Sequence, residues 1–171
     1  MKVAGLAIGW VFCGYLAAVT AAAMLLHWLR RMPHFFSLLS LPGTVGHELL
    51  HFLVGTLALA KPVKVSLIPK FHRAGSATLG YVMFSNIRWY NALWVGFAPL
   101  LALPAALALV YYRCAQIPPL SVRELGWGYL AASLTYSCLP SKADVRIVLS
   151  KPAGLIAYVG GGALLRWARL Y

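Results

Sequence analysis

Two uncharged apolar stretches, residues 3–29 and 89–112, dominate the chain. Each exceeds the roughly 20 residues that a helix needs to cross a bilayer, and both are predicted to do so. Between them, a basic turn of Arg30, Arg31, Met32, Pro33 and His34 leads into a second apolar segment at residues 35–60. That segment contains Glu48, a residue a lipid-facing helix does not tolerate. From residue 61 to 84 the period changes: Val63, Val65 and Leu67 alternate with Lys64, Ser66 and Ile68, and Ala74, Gly75 and Ser76 precede a second β-prone run. The pattern predicts a small β-hairpin at the membrane edge. The stretch at 89–112 carries Trp89, Tyr90 and Trp94 at one end and Tyr111 and Tyr112 at the other, as an aromatic belt requires, and Pro99 and Pro104 predict kinks. A fourth helix is predicted to begin at residues 125–139 and to be interrupted by Lys142 and Asp144. Charges at membrane depth usually face a cavity or a partner. Residues 152–165 are short and Gly-rich around 160–162, which fits a re-entrant, interfacial or fifth helical segment.

These elements define a polytopic α-helical membrane protein with four to five transmembrane segments and a small membrane-edge β-hairpin. Residues 1–171 read as one integral membrane domain. Its parts are an extra first helix at 1–34, a core at 35–151 containing the hairpin at 61–84, and a C-terminal re-entrant or membrane segment at 152–171. Composition agrees: with 61% hydrophobic residues and a mean hydropathy of +0.77, a soluble domain of this size could not cover its apolar surface. Lys2 before an apolar run and the Ala-rich stretch at 17–23 resemble a signal peptide. The run is nevertheless longer than an ordinary h-region of about 7–15 residues, so it is taken as a helix.

A formal charge of +12 raises the question of nucleic acid, but the Lys and Arg residues sit at the ends of apolar segments and not along one soluble face. They read as topology signals and contacts to anionic lipid, with no nucleic-acid partner. Over four spans, nine basic residues fall on the side of Lys2 and the hairpin and six on the other. This favours a cytoplasmic amino terminus and hairpin, in a cell inner membrane. Cys13, Cys114 and Cys138 lie far apart and give neither a disulfide framework nor a Cys-x-x-Cys metal site.

The chemistry lies in Gly43-Thr44-Val45-Gly46-His47-Glu48-Leu49-Leu50-His51, a complete His-Glu-x-x-His motif inside an apolar helical run. Spacing of four places both imidazoles on one helix face, where they can ligate one zinc ion while Glu48 holds the attacking water. The bland alternative is a pair of packed histidines beside a buried neutral glutamic acid. Gly43 and Gly55 extend the same stripe above and below the two histidines. Their small size would let another helix or a substrate approach, although ordinary Gly-mediated helix packing explains the glycines equally well.

Zinc hydrolases usually use three protein ligands and keep one position open. Beyond Glu48 the only carboxylates are Glu124 and Asp144. Glu124 follows Ser121-Val122-Arg123 and reads as a solvated residue in the first turn of the fourth helix. Asp144 lies where the fourth apolar segment breaks and is the better ligand; its alternative role is a surface ion pair with Lys142 or Arg146. Cys138, six residues earlier, is a possible sulfur ligand if Pro140 breaks the helix between them.

On these residues the chain resembles the site-2 protease group of intramembrane metalloproteases, over roughly residues 35–151. That resemblance implies a three-helix core whose first helix carries His47, Glu48 and His51, followed by a cytoplasmic membrane-associated β-structure at 61–84. It implies a ligating aspartate on the third core helix, where Pro140-Ser141-Lys142-Ala143-Asp144-Val145 stands in place of a Leu-Asp-Gly context. Gly96-Phe97-Ala98-Pro99-Leu100-Leu101 matches the family's Gly-Pro-x-x-Asn element only in part and lacks the Asn, so no substrate-positioning role is carried over.

The expectation is a zinc metalloendopeptidase that cuts peptide bonds in or near transmembrane segments of membrane-protein substrates. One zinc ion is held by His47, His51 and Asp144, with Glu48 as general base and proton donor. Two other classes fit the same residues: a nonproteolytic membrane scaffold whose metal is structural or absent, and a zinc hydrolase acting on lipid.

Overall fold

The computed structural model describes residues 2–71, 77–116 and 121–169 of the chain. The chain is mostly helical. Helix α1 (Lys2–Leu29) is followed by α2 (Pro33–Leu39) and α3 (Leu41–Leu57), then by strands β1 (Pro62–Ser66), β2 (Lys70–Phe71), β3 (Ala77–Thr78) and β4 (Tyr81–Phe84). Helix α4 (Ala92–Phe97), a 3-10 turn (Ala98–Leu101) and α5 (Ala102–Ala115) come next, then α6 (Val122–Ser137), α7 (Lys142–Leu149) and α8 (Pro152–Ala168).

Among the described residues, two helical stretches are long and apolar enough to cross a membrane: Gly9–Leu29 within α1, and Ala92–Ala115 taken through the 3-10 turn. Both were expected from the uncharged runs. The kink expected at Pro99 is that 3-10 turn, whereas Pro104 lies in the first turn of α5, where its missing N–H leaves no helical bond unmade. Helices α7 and α8 together have the length of a span but are bent by 76° at Ser150 and Lys151. The Gly-rich tail is thus helical from Pro152 to Ala168.

The apolar segment at 35–60 requires a correction, because it is two helices and not one. Ser40 ends α2 and caps α3, and Pro42 in the first turn of α3 cannot donate the bond that would continue α2. Helices α3 and α6, at 17 and 16 residues, are shorter than the roughly 20 that a straight span needs.

Helix α6 is the central element, packing against α1, α3 and α5. Val19, Val110, Cys114, Ala131 and Ala132 form the buried cluster between α1, α5 and α6. Small residues allow the close approaches. A Cβ on Gly43 would strike the Ser133 carbonyl and the Ser137 hydroxyl, and the Gly43 N–H donates to Ser133 Oγ at 2.8 Å. This fixes the register of α3 on α6, as the small-residue stripe anticipated. On the other side, Gly96 lets α4 lie against α7 at Asp144 and Val148. Large apolar side chains such as Trp10, Leu38, Leu57 and Leu164 stay exposed on the outer faces, as lipid-facing positions do.

The hairpin expected at 61–84 is present as two antiparallel ladders. Strand β1 pairs with β4, with Ser66 opposite Tyr81 and a bulge between Pro62 and Lys64, and β2 pairs with β3. Ala74, Gly75 and Ser76 lie outside the described residues. The hairpin runs back along α3 and not away from its end: Phe84 meets Gly55, Gly80 meets Glu48, and β3 packs on α2. The reversal is made in residues 58–61, where Leu59 and Lys61 take left-handed φ values of 59° and 54°. Each costs about 1 kcal/mol in a non-glycine residue. The Ala60 N–H donates to the Gly55 carbonyl and the Leu59 N–H to that of Thr56, which closes the C-terminus of α3. Asn86 Nδ2 donates to the Leu59 carbonyl at 2.8 Å, and the fully buried Asn91 donates to that of Ala58 at 3.2 Å. These bonds hold the strained turn in place.

Candidate metal centre

Spacing of four on α3 places the His47 and His51 rings side by side, centroids 4.8 Å apart, with their Nε2 atoms 3.2 Å apart. The Nδ1 atoms point elsewhere: that of His47 lies 2.7 Å from the Ser137 carbonyl oxygen, and that of His51 lies 2.9 Å from the Val95 carbonyl oxygen. A carbonyl oxygen can only accept, so each Nδ1 carries the hydrogen and donates it. In the neutral imidazole this leaves both Nε2 lone pairs turned toward each other, as a carbonyl-anchored metal-ligating histidine requires.

The third group converges on the same point. Asp144 places Oδ1 3.0 Å from His51 Nε2 and Oδ2 3.5 Å from His47 Nε2. It is held there by the start of α7, where Ser141 is the N-cap. The Ser141 N–H donates to Asp144 Oδ2 at 2.6 Å, and the Asp144 N–H donates to Ser141 Oγ at 3.2 Å. This reciprocal capping box satisfies two orphan donors of the helix and fixes the carboxylate rotamer together.

Two lone pairs and one carboxylate facing one another repel unless a cation lies among them. A proton on one Nε2 would make that imidazole a cation able to pair with Asp144 or to share its hydrogen with the other Nε2, 3.2 Å away, but one proton does not bind all three groups. A divalent ion meets all three donors. The edges of a tetrahedron with metal–ligand bonds of about 2 Å are about 3.3 Å. The two Nε2 atoms, 3.2 Å apart, match that value, and the two Asp144 oxygens approach one ring each, at 3.0 and 3.5 Å. His47, His51 and Asp144 therefore form a group that could hold a metal ion, and no other such group occurs among the described residues. His51 and Asp144 are buried, and His47 is half-buried.

Glu48 lies beside this group and is only 7% exposed. It lines, with His47, His51 and Asp144, a cavity of about 650 Å³. Among the described residues no group hydrogen-bonds to its carboxylate, so its oxygens are available to whatever enters. The Leu79–Gly80 stretch, which falls between the two hairpin ladders, roofs it. A Cβ on Gly80 would lie 2.7 Å from Glu48 Cγ, 3.1 Å from Glu48 Oε1 and 3.1 Å from the Ser66 carbonyl. Only glycine leaves the Glu48 side chain its present position.

The four residues singled out from sequence are thus brought together: His47, Glu48 and His51 by one helix, Asp144 by α7 packing on α4. Asp144 makes no ion pair with Lys142 or Arg146 among the described residues, and Cys138, although buried, lies outside the group. Glu124 requires a correction. It occupies the first turn of α6 as expected, yet it is 8% exposed and bound by Arg113, whose Nε and Nη2 donate to its two oxygens. Arg113 lies in the last turn of α5, and the α5–α6 pairing carries it there.

Sequence reasoning missed Ser141, the Ser137 and Val95 carbonyls, and Gly80. A signal existed for the first, since Ser141-Lys142-Ala143-Asp144 is a capping-box pattern. The carbonyls and Gly80 become functional only through packing. Comparison of the chain with protein-family models, with characterised proteins and with solved structures finds no match in any of them.

Proposed function

We propose that this chain is a zinc-dependent intramembrane endopeptidase of the site-2 protease kind, cutting membrane-protein substrates in or near their transmembrane segments. The observation that carries the reading is the placement of Glu48 beside three converging donors in one cavity. Two imidazoles and one carboxylate with a fourth position open is the ligand set of a catalytic zinc site. Zinc bound there would polarise the scissile carbonyl and make a water nucleophilic at neutral pH.

This chain's own residues would do the rest. His47 and His51 are oriented by backbone carbonyls and Asp144 by its cap, so the donors need no rearrangement. Glu48 accepts the proton of the attacking water and returns it to the leaving amide nitrogen. Tyr81, Val82 and Phe84 of β4 line the cavity, and among the described residues β4 pairs with β1 along one edge and with no strand along the other. An unwound substrate strand can pair with that edge and so satisfy its backbone groups at membrane depth.

In this reading α3, α6 and the bent α7–α8 pair complete a multi-pass arrangement of four to five spans, in a cell inner membrane with a cytoplasmic amino terminus. Anionic lipid contacts the basic segment ends. The test is Glu48→Gln: the variant is expected to keep one zinc per chain and lose hydrolysis of a membrane-protein substrate. Undiminished turnover would refute the mechanism, and activity on lipid alone would favour the lipid-hydrolase class.

A further inference from the structure

The cavity over the candidate metal centre is lined by basic groups from separate parts of the chain. His27 and Arg30, at the end of α1 and in the turn after it, line one wall, and Lys142 of α7 lines another. On the hairpin side, Tyr81 lines the cavity, and Lys64 and Lys70 each place their ammonium nitrogen 6.0 Å from its ring centroid. Two permanent cations, Arg30 and Lys142, thus line one cavity, and Lys64 and Lys70 lie beyond them beside Tyr81.

The chain has only three acidic residues to offset them, and each is committed. Asp144 faces the two histidines, Glu124 is paired with Arg113, and Glu48 lies inside the cavity under Gly80. A divalent ion at the centre would cancel Asp144 and Glu48 and leave the opening strongly positive. An occupant of the cavity therefore meets a field that only an anionic group satisfies.

Basic residues near a membrane surface ordinarily contact lipid phosphates. That account needs only that they face outward at the ends of helices. It does not require basic residues from α1, the turn after it and α7 to converge on the cavity that also holds Glu48 and Asp144. We propose that this cavity selects peptide substrates bearing acidic side chains beside the segment to be cut. The inference rests on the protease reading and extends it, since it names the substrate's chemistry and gives α1 a role in recognition.

The experiment measures binding and not cleavage. Glu48→Gln protein in phosphatidylcholine nanodiscs is titrated with rhodamine-labelled apolar spanning peptides. These carry a block of Asp at one flank or the other, and their partners carry Asn in its place. Each exposed charge pair contributes little, so Arg30 and Lys142 together are expected to give one of the Asp peptides an advantage of about fivefold. That advantage should disappear at about 0.5 M salt, where the screening length is a few Å. Arg30→Gln and Lys142→Gln, each checked for metal content, should shrink the Asp-to-Asn ratio. Arg30→Glu with Lys142→Glu should turn the preference toward Lys-flanked peptide. Equal affinity for Asp and Asn peptides would overturn the inference even if wild-type protein cleaves both. So would charge variants that alter only association with phosphatidylglycerol. An Asp preference in a protein that cleaves no peptide would support the acidic-ligand assignment and count against the protease reading.

Discussion

Asp144 and Glu124 are both buried carboxylates in the first turn of a helix, 6% and 8% exposed, yet their surroundings differ in kind. Glu124 faces Arg113, a fork of donors that is always charged, and both of its oxygens accept from it. Charge and hydrogen bonds are complete within the chain. Asp144 faces two imidazoles whose hydrogens are already given to the Ser137 and Val95 carbonyls. Its charge is therefore met by lone pairs, and the set is one cation short. A buried acid marks a functional site not because it is buried but because its partners cannot neutralise it.

The comparison breaks most visibly at Asp144. Asp144→Asn keeps the shape of the side chain and is expected to lower metal affinity by more than about 100-fold, beyond what loss of a merely supporting residue produces. Competition with a chelator measures it, and His51→Ala should behave alike. Next in size is Gly80→Ala, which should displace Glu48 and lower substrate turnover by about 100-fold with metal retained. Parallel kinetic and metal assays check this, and loss of metal instead would mean that the hairpin supports the ligands and not the base. Ser141→Ala removes the cap that orients Asp144. It should cost about 1 kcal/mol in unfolding stability and lower metal affinity by about tenfold. Glu124→Gln completes the contrast: thermal unfolding should occur at lower temperature because Arg113 loses its buried partner, while metal affinity stays at the wild-type value.

These outcomes also bear on how much of the molecule could be read along the chain. Local chemistry was legible. The uncharged run at 3–29 became α1, the alternation after Lys61 became a hairpin, and His47, Glu48 and His51 lie on one face because four residues make about one helical turn. Asp144 was legible by elimination, since an acid-poor chain leaves few candidates. Elements decided by neighbours were not. Glu124 reads as solvated until α5, packed on α6, brings Arg113 to it. The break at Ser40 is hidden by an apolar run that continues across it, although Pro42 was the local clue. Gly80 looks like an ordinary hairpin residue until the reversal at 58–61 folds it onto Glu48. Backbone carbonyls carry no residue signature, so the anchors of both histidines were beyond any reading of the chain.

The most direct test is elemental analysis of metal bound to purified wild-type protein and to Asp144→Asn, Glu48→Gln and Glu124→Gln. One zinc per chain is expected in the wild type, in Glu48→Gln and in Glu124→Gln, and none in Asp144→Asn. Absence of metal from the wild type, or full zinc in Asp144→Asn with its loss in Glu124→Gln, would contradict the His47–His51–Asp144 centre.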